Sequence, residues 1–145
     1  MFERNPELKS PGIDDEPVSV SSILHIDDDP VFLELVKGIF ADDSSISVVS
    51  CVSALDALAI VESLQPALII SDISMPKMGG LELVHKLRQN ASTSDTPIIL
   101  ISAHTHALNK YEEFTELSVV ALQKPVDLSF LRHQVKALLD EAARR

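Results

Sequence analysis

The chain reads as an α/β protein, a doubly wound five-stranded parallel sheet with helices on both faces. Two observations predict this class. Short, nearly continuous runs of Ile, Val and Leu recur between residues 23 and 122, as strands buried on both faces require. Between them lie amphipathic stretches with apolar residues at helical spacing, and this alternation is the pattern of repeated strand and helix units. A length of 145 residues suits one domain with a sizeable core.

Residues 1–21 read as a flexible acidic tail. Pro6, Pro11, Gly12 and Pro17 interrupt regular structure there, and Asp14, Asp15 and Glu16 form an acidic run that buries little apolar surface. The folded domain is expected over residues 22–143. Its strands fall at Ile23–Ile26, Ile46–Val52, Leu68–Ser71, Ile98–Ile101 and Val119–Leu122. After the first strand, Asp29 suits a helix cap and Pro30 the first helical position; Phe32, Leu35, Val36, Ile39 and Phe40 then make an apolar face. After Ser53, Ala54, Ala57, Leu58, Val61 and Leu64 repeat the pattern. A third helix from Gly80 to Gln89 buries Leu83, Val84 and Leu87. A fourth, from about His106 to Glu116, is mostly polar. The last opens near Asp127 and buries Leu128, Leu131, Val135, Leu138 and Leu139.

Acidic residues outnumber basic ones by 22 to 12, a net charge of −10, which argues against nucleic-acid binding because a phosphate backbone is gripped by clustered Lys and Arg. One cysteine, Cys51, excludes an internal disulfide and a Cys-rich zinc site, and suits a small buried strand residue in a reducing compartment. No apolar stretch reaches the roughly 20 residues of a membrane span, and the charged start does not resemble a signal peptide. These features predict a cytoplasmic protein without membrane contact.

In a doubly wound sheet, ligands bind beyond the carboxyl ends of the strands, where the winding reverses. At those ends stand Asp27, Asp28 and Asp29, then Asp72, Ser102 and Lys124. Carboxylates gathered at one edge repel unless a cation offsets them. A hard cation with oxygen ligands is implied, and Mg²⁺ suits a site of one or two carboxylates, waters and phosphate oxygens. A cation, a hydroxyl and a lysine around one carboxylate suit a phosphoryl group, whose transfer needs chiefly positioning and charge stabilisation. Asp72 is the carboxylate best placed to be the nucleophile. Asp29, followed by Pro30, is a cap rather than a ligand.

Four segments together, Ile-Leu-His-Ile-Asp-Asp-Asp-Pro (23–30), Pro-Ala-Leu-Ile-Ile-Ser-Asp-Ile-Ser-Met-Pro-Lys-Met-Gly-Gly (66–80), Pro-Ile-Ile-Leu-Ile-Ser-Ala (97–103) and Gln-Lys-Pro (123–125), resemble the receiver domain of bacterial two-component response regulators. The resemblance covers about residues 22–141. It implies a flavodoxin-like strand order 2-1-3-4-5. It also implies that Asp72 accepts a phosphoryl group, with Mg²⁺ held by Asp28, Asp72 and the backbone carbonyl of Ser74 and supported by Asp27. Ser102 would be the switch hydroxyl, Lys124 the phosphate-pairing lysine, and the Lys124–Pro125 peptide cis.

The implied role is phosphorylation-dependent signalling, not enzymatic turnover of a separate substrate. A histidine kinase or phosphotransfer protein would supply the phosphoryl group, and an unidentified downstream protein, or a second copy of the chain, would read it. With the chain ending soon after its last helix, contact is the expected mode of action. The alternative is a Mg²⁺-dependent phosphohydrolase with an aspartate nucleophile, but the haloacid-dehalogenase-like group places a second Asp two residues after the nucleophile, where this chain has Ser74. Only four glycines, none in a G-x-G-x-x-G pattern, argue against a dinucleotide binder.

Three positions depart from the family. Ala121 replaces a common aromatic three residues before the lysine, which predicts a signal leaving through Ser102 and the loop His104–Leu108. Gly79-Gly80 replaces the usual Asp-Gly, expected to loosen that loop, and Leu117-Ser118 replaces the common Gly-Ala before strand five. Phosphoryl loss in the family is tuned two positions after the phosphorylated aspartate and two after the switch hydroxyl, here Ser74 and His104. A neutral imidazole can accept a hydrogen bond from attacking water, and loses that capacity below about pH 6.5. Decay of phospho-Asp72 should therefore slow below that pH, and His104→Leu should slow it further and flatten its pH dependence. Decay measured at several pH values in both proteins decides this, and identical profiles would remove His104 from the mechanism.

Overall fold

The computed structural model describes residues 19–103 and 111–144. Five strands, β1 (Ser21–Ile26), β2 (Ile46–Cys51), β3 (Leu68–Asp72), β4 (Ile98–Ser102) and β5 (Val119–Gln123), alternate with helices α1 (Pro30–Ile39), α2 (Ala54–Leu64), α3 (Gly80–Gln89), α4 (Tyr111–Leu117) and α5 (Leu128–Ala143). The sheet is parallel throughout, in the order β2-β1-β3-β4-β5. Chain order and spatial order part company at β1, so the ends of β1 and β3 meet where the winding reverses.

Both central strands are buried on both faces. Leu68, Ile69, Ile70, Ile98, Ile99, Leu100 and Ile101 are all essentially inaccessible, which is why their sequence shows no alternation. Alternate residues feed two cores. Leu24, Ile26, Ile69, Ile98 and Leu100 pack with Ala57 and Val61 of α2 and with Leu83, Val84 and Leu87 of α3. Ile23, Ile70, Ile99 and Ile101 pack with Val36 of α1 and with Leu131 and Val135 of α5.

The helix starts follow the expected caps. Asp29 accepts from the Val31 N–H at 3.0 Å, Ser53 from the Asp56 N–H at 3.1 Å and Asp127 from the Phe130 N–H at 3.1 Å. Such caps satisfy amide groups that have no partner inside the helix. Leu35, expected on the buried face of α1, is exposed, because Leu33 and Val36 occupy the inward stripe. Leu128 is only half-buried and stays outside the core that Leu131 and Val135 form. Strand β1 begins at Ser21, two residues before its expected start, since Ser21 and Ser22 pair with Ile46 and Ser47. Of the fourth helix, expected from about His106, residues 111–117 form α4 and its expected first residues lie outside the described set.

In the Gly79-Gly80 pair, Gly79 stands at the N-cap of α3 with no side-chain cap hydrogen bond, and Gly80 makes a close contact with β3. A Cβ on Gly80 would lie 2.2 Å from the Asp72 carbonyl oxygen, so the start of α3 presses directly on the end of β3. The Gly80 N–H donates to the Ile73 carbonyl at 2.8 Å, and absence of a side chain is what permits the approach. At the other end of α3, the Arg88 guanidinium donates to four backbone carbonyls: Leu117 (2.7 Å), Thr93 (3.0 Å), Thr96 (2.8 Å) and Ser118 (3.2 Å). Ser118, second residue of the Leu117-Ser118 pair, has φ of 56°, and Arg88 grips the carbonyls on either side of its amide.

Two glycine substitutions should therefore move stability in opposite directions. Gly80→Ala forces α3 away from Asp72 and should cost about 3 kcal/mol. Gly38 in α1 has open space where its Cβ would go, so Gly38→Ala should stabilise by about 0.5–1 kcal/mol through helix propensity. Denaturant unfolding of both variants checks the contrast; equal effects would contradict the packing described at Gly80.

Candidate functional site

Three strands deliver the site. Strand β1 runs out at Ile26 and places Asp27 and Asp28 beyond it; β3 ends on Asp72 itself; β5 ends at Gln123, one residue before Lys124. One ligand oxygen from each of Asp27, Asp28 and Asp72 lies within 4.8 Å of the others. The Lys124 ammonium closes the cluster, donating to Asp27 Oδ2 at 3.0 Å and standing 3.9 Å from Asp72 Oδ2.

Asp27 is buried, an expensive place for a charge without partners. Both its oxygens are engaged: Oδ2 by Lys124, and Oδ1 by the Asp29 N–H at 2.9 Å. Asp28, next in the chain, is exposed and faces solvent from the same cluster. Asp72 is nearly buried. Burial pushes its carboxyl above the usual carboxylate range, opposed by the nearby Lys124 ammonium and reinforced by the charge on Asp27; a hydrogen bond from the Ser74 backbone N–H pulls the other way and the Asp28 charge adds to the rise. Ser74 thus contributes its amide to Asp72.

Ser102 is fully buried at the end of β4. Ile101 is the register partner of Asp72, so Ser102 stands one residue beyond it on the neighbouring strand. Its carbonyl accepts from the Lys124 N–H at 2.7 Å, which ties Ser102 to the lysine through backbone. The Lys124–Pro125 peptide is cis. Asp27, Asp28, Asp72, Ser102 and Lys124 therefore come to one edge of the sheet. His104 and the loop His104–Leu108 lie outside the described residues.

Sequence reasoning missed three contributors. Phe32, assigned to the core face of α1, sits half-buried under the lysine, with Nζ 4.7 Å from its ring centroid. His25 is buried beside it, with neither ring nitrogen hydrogen-bonded among the described residues; burial lowers its pKa to about 4, against the opposing pull of Asp27. Gly80 abuts the Asp72 carbonyl. Only Gly80 carried a sequence signal, as the second of two adjacent glycines. Asp29, as expected, caps α1. Met75 and Met78, in the loop after β3, pack against the α2–α3 core.

Comparison with known proteins bears directly on this arrangement. Residues 23–136 match the family model described as the response regulator receiver domain. The chain belongs to that family. It is 32% identical over 117 residues, 81% of its length, to the DNA-binding dual master transcriptional regulator RpaA of Synechocystis sp.. It is 30% identical over 124 residues, 86% of its length, to the response regulator Rre1 of the same organism. The chain spans 48% and 52%, about half, of those two relatives. Among solved structures, a CheY-like receiver domain protein from Methanospirillum hungatei superimposes with a TM-score of 0.78 at 27% identity, covering 87% of this chain and 98% of the other. The signal receiver domain of a histidine kinase from Syntrophus aciditrophicus gives 0.76 at 25% identity, covering 87% and 95%. No described helix is long and apolar enough to cross a membrane.

The raised pKa of Asp72 makes the site a cost to the fold. A carboxyl whose folded-state pKa lies above its unfolded value imposes no penalty below the unfolded pKa; the penalty grows as pH rises between the two and is complete above the folded one. Asp72→Asn removes it. In buffer free of divalent cations, Asp72→Asn should be more stable than the parent at neutral pH by about 0.5–2 kcal/mol, with the gap shrinking on acidification. Urea unfolding at pH 7 and pH 4 tests this, and a variant less stable at pH 7 would contradict it.

Proposed function

We propose that this receiver domain accepts a phosphoryl group on Asp72 from a phosphohistidine of a histidine kinase or phosphotransfer protein, and that the phosphorylated form is read by protein contact. The observation that carries the reading is the cluster itself: one buried carboxylate at a strand end, flanked by two more, with a lysine ammonium 3.9 Å from one of its oxygens. A structural role alone would not gather three carboxylates around a single ammonium at the winding reversal.

In the step proposed, an Asp72 Oδ attacks phosphorus in line. The P–N bond of the donor breaks, its electron pair returns to the imidazole nitrogen, and that nitrogen takes up a proton. An acyl phosphate is left on Asp72. Lys124 faces the phosphoryl oxygens with its ammonium, and Ser102 offers them its hydroxyl. The lysine and the Ser74 amide also favour the ionised form of Asp72, which is the form that attacks. Neither changes identity during the step, so the catalysis is one of placed charge.

The donor set fits Mg²⁺: hard oxygens only, one of the three carboxylates exposed to solvent, and three carboxylates gathered beside one ammonium. Asp28, Asp72 and the Ser74 carbonyl are the ligands we assign, with Asp27 supporting. When bound, Mg²⁺ neutralises charge on the phosphoryl oxygens. The receiver unit is assigned to residues 21–143, one residue longer than the sequence suggests because Ser21 opens β1. A cytoplasmic site of action is consistent with a single free thiol. The phosphohydrolase alternative is not favoured, since Ser74 stands where its second acid would be.

Acetyl phosphate and Mg²⁺ should label the protein with an acid-labile, hydroxylamine-sensitive phosphoryl group, and Asp72→Asn should abolish that labelling. Asp28→Ala should lower labelling in a way that excess Mg²⁺ partly restores. Labelling that survives unchanged in Asp72→Asn refutes the assignment of the acceptor, and labelling of the parent without any divalent cation refutes the metal site.

A further inference from the structure

Lysine carries its charge on a flexible four-carbon stem with many rotamers. An ammonium that must meet a phosphoryl group gains from being held before the group arrives, because catalysis here rests on charge that needs no reorganisation. Two carboxylates restrain Lys124 from one direction, at 3.0 Å to Asp27 and 3.9 Å to Asp72. A third restraint comes from an element the chemistry does not use.

Phe32 is the third residue of α1, and its place is set by the cap that Asp29 puts on the preceding turn. Its ring centroid lies 4.7 Å from Lys124 Nζ, inside the range where the negative face of an aromatic ring attracts a cation. The ring is itself held: His25 meets it in an edge arrangement, centroids 5.5 Å apart and planes at 76°. His25 is buried in β1 between its register partners Ser50 and Ile70, so the ring's support is part of the sheet. Phe32 and Lys124 also line one cleft of about 460 Å³ with Pro125 and Val126.

We propose that Phe32 is a positioning residue for Lys124, its ring holding the ammonium within reach of both Asp27 and the phosphoryl group that Asp72 receives. The proposal rests on the phosphoacceptor reading given above. It separates the ring's electrostatic role from its bulk: Leu or Met fills similar space without the quadrupole, whereas Tyr and Trp keep it.

The test uses the full chain carrying Phe32→Leu, Phe32→Met, Phe32→Tyr or Phe32→Trp, with acetyl phosphate as donor and beryllofluoride as the phosphoryl mimic, at saturating Mg²⁺. The Leu and Met variants should lose about three- to tenfold in labelling rate and in beryllofluoride affinity, while Tyr and Trp stay near the parent and calorimetric Mg²⁺ affinity is the same in all five proteins. Leu and Met matching the parent overturns the proposal, as does Tyr and Trp falling with them, which would make the ring simple packing. NMR provides a readout free of phosphoryl chemistry: ring-current shifts on the Lys124 side chain should be present in the parent and lost in Phe32→Leu. Their absence in the parent overturns the proposal even if labelling proceeds. Present shifts with an unlabelled parent overturn the phosphoacceptor reading, and with it the role assigned to the held ammonium.

Discussion

The ion pair between Lys124 and Asp27 is the contact on which the rest of the site depends. Asp27 is a buried carboxylate, and its ionised state is tolerable only because an ammonium and a backbone amide each occupy one oxygen. The same ammonium stands between Asp27 and Asp72, so one cation moderates two carboxylates that would otherwise repel each other across the strand ends. It arrives from a residue 97 positions away in the chain, placed by β5 and by the hydrogen bond its own N–H donates to the Ser102 carbonyl. Sheet order, strand length and the lysine's position are therefore conditions for the charge balance at the edge.

Polar groups in the surroundings are less completely satisfied. His25 has two unpartnered ring nitrogens and Ser50, its register neighbour on β2, an unpartnered hydroxyl among the described residues. Burial keeps the imidazole neutral at ordinary pH. Together with the raised pKa of Asp72, these groups mark the region beneath the site as one where stability is given up. That is the usual relation between a working site and its scaffold. The cost is carried by the two flanking cores, which are apolar and tightly filled.

Helix α3 is fixed at both ends. Gly80 lets its first turn touch the Asp72 carbonyl, and Arg88 binds its last turn to the loop before β4 and the corner before β5. The guanidinium is partly desolvated there, which lowers its pKa from a very high starting value and leaves it charged. Five donors in a rigid fork suit this task, and a lysine would not reach four carbonyls.

Local order was legible in the sequence because it depends on local causes. Short, mostly β-branched runs such as Ile98–Ile101, bounded by Pro97 and Ser102, read as strands buried on both faces, and Asp29-Pro30, Ser53 and Asp127 announce helix starts through hydrogen bonds to amides two or three residues away. Asp27, Asp28, Asp72, Ser102 and Lys124 were legible as a group because each interrupts an apolar strand at its carboxyl end, and the order of elements sends those ends to one edge. What the tertiary structure alone decided is how distant side chains share that edge. Which core face Leu35 misses depends on how α1 is rotated against β1 and α5. The ring of Phe32 beneath Lys124, the four carbonyls around Arg88 and the approach of Gly80 to Asp72 are contacts between separate elements, set by packing distances that no local pattern encodes. Periodicity determines which residues turn inward, and only the packed fold determines which of them touch.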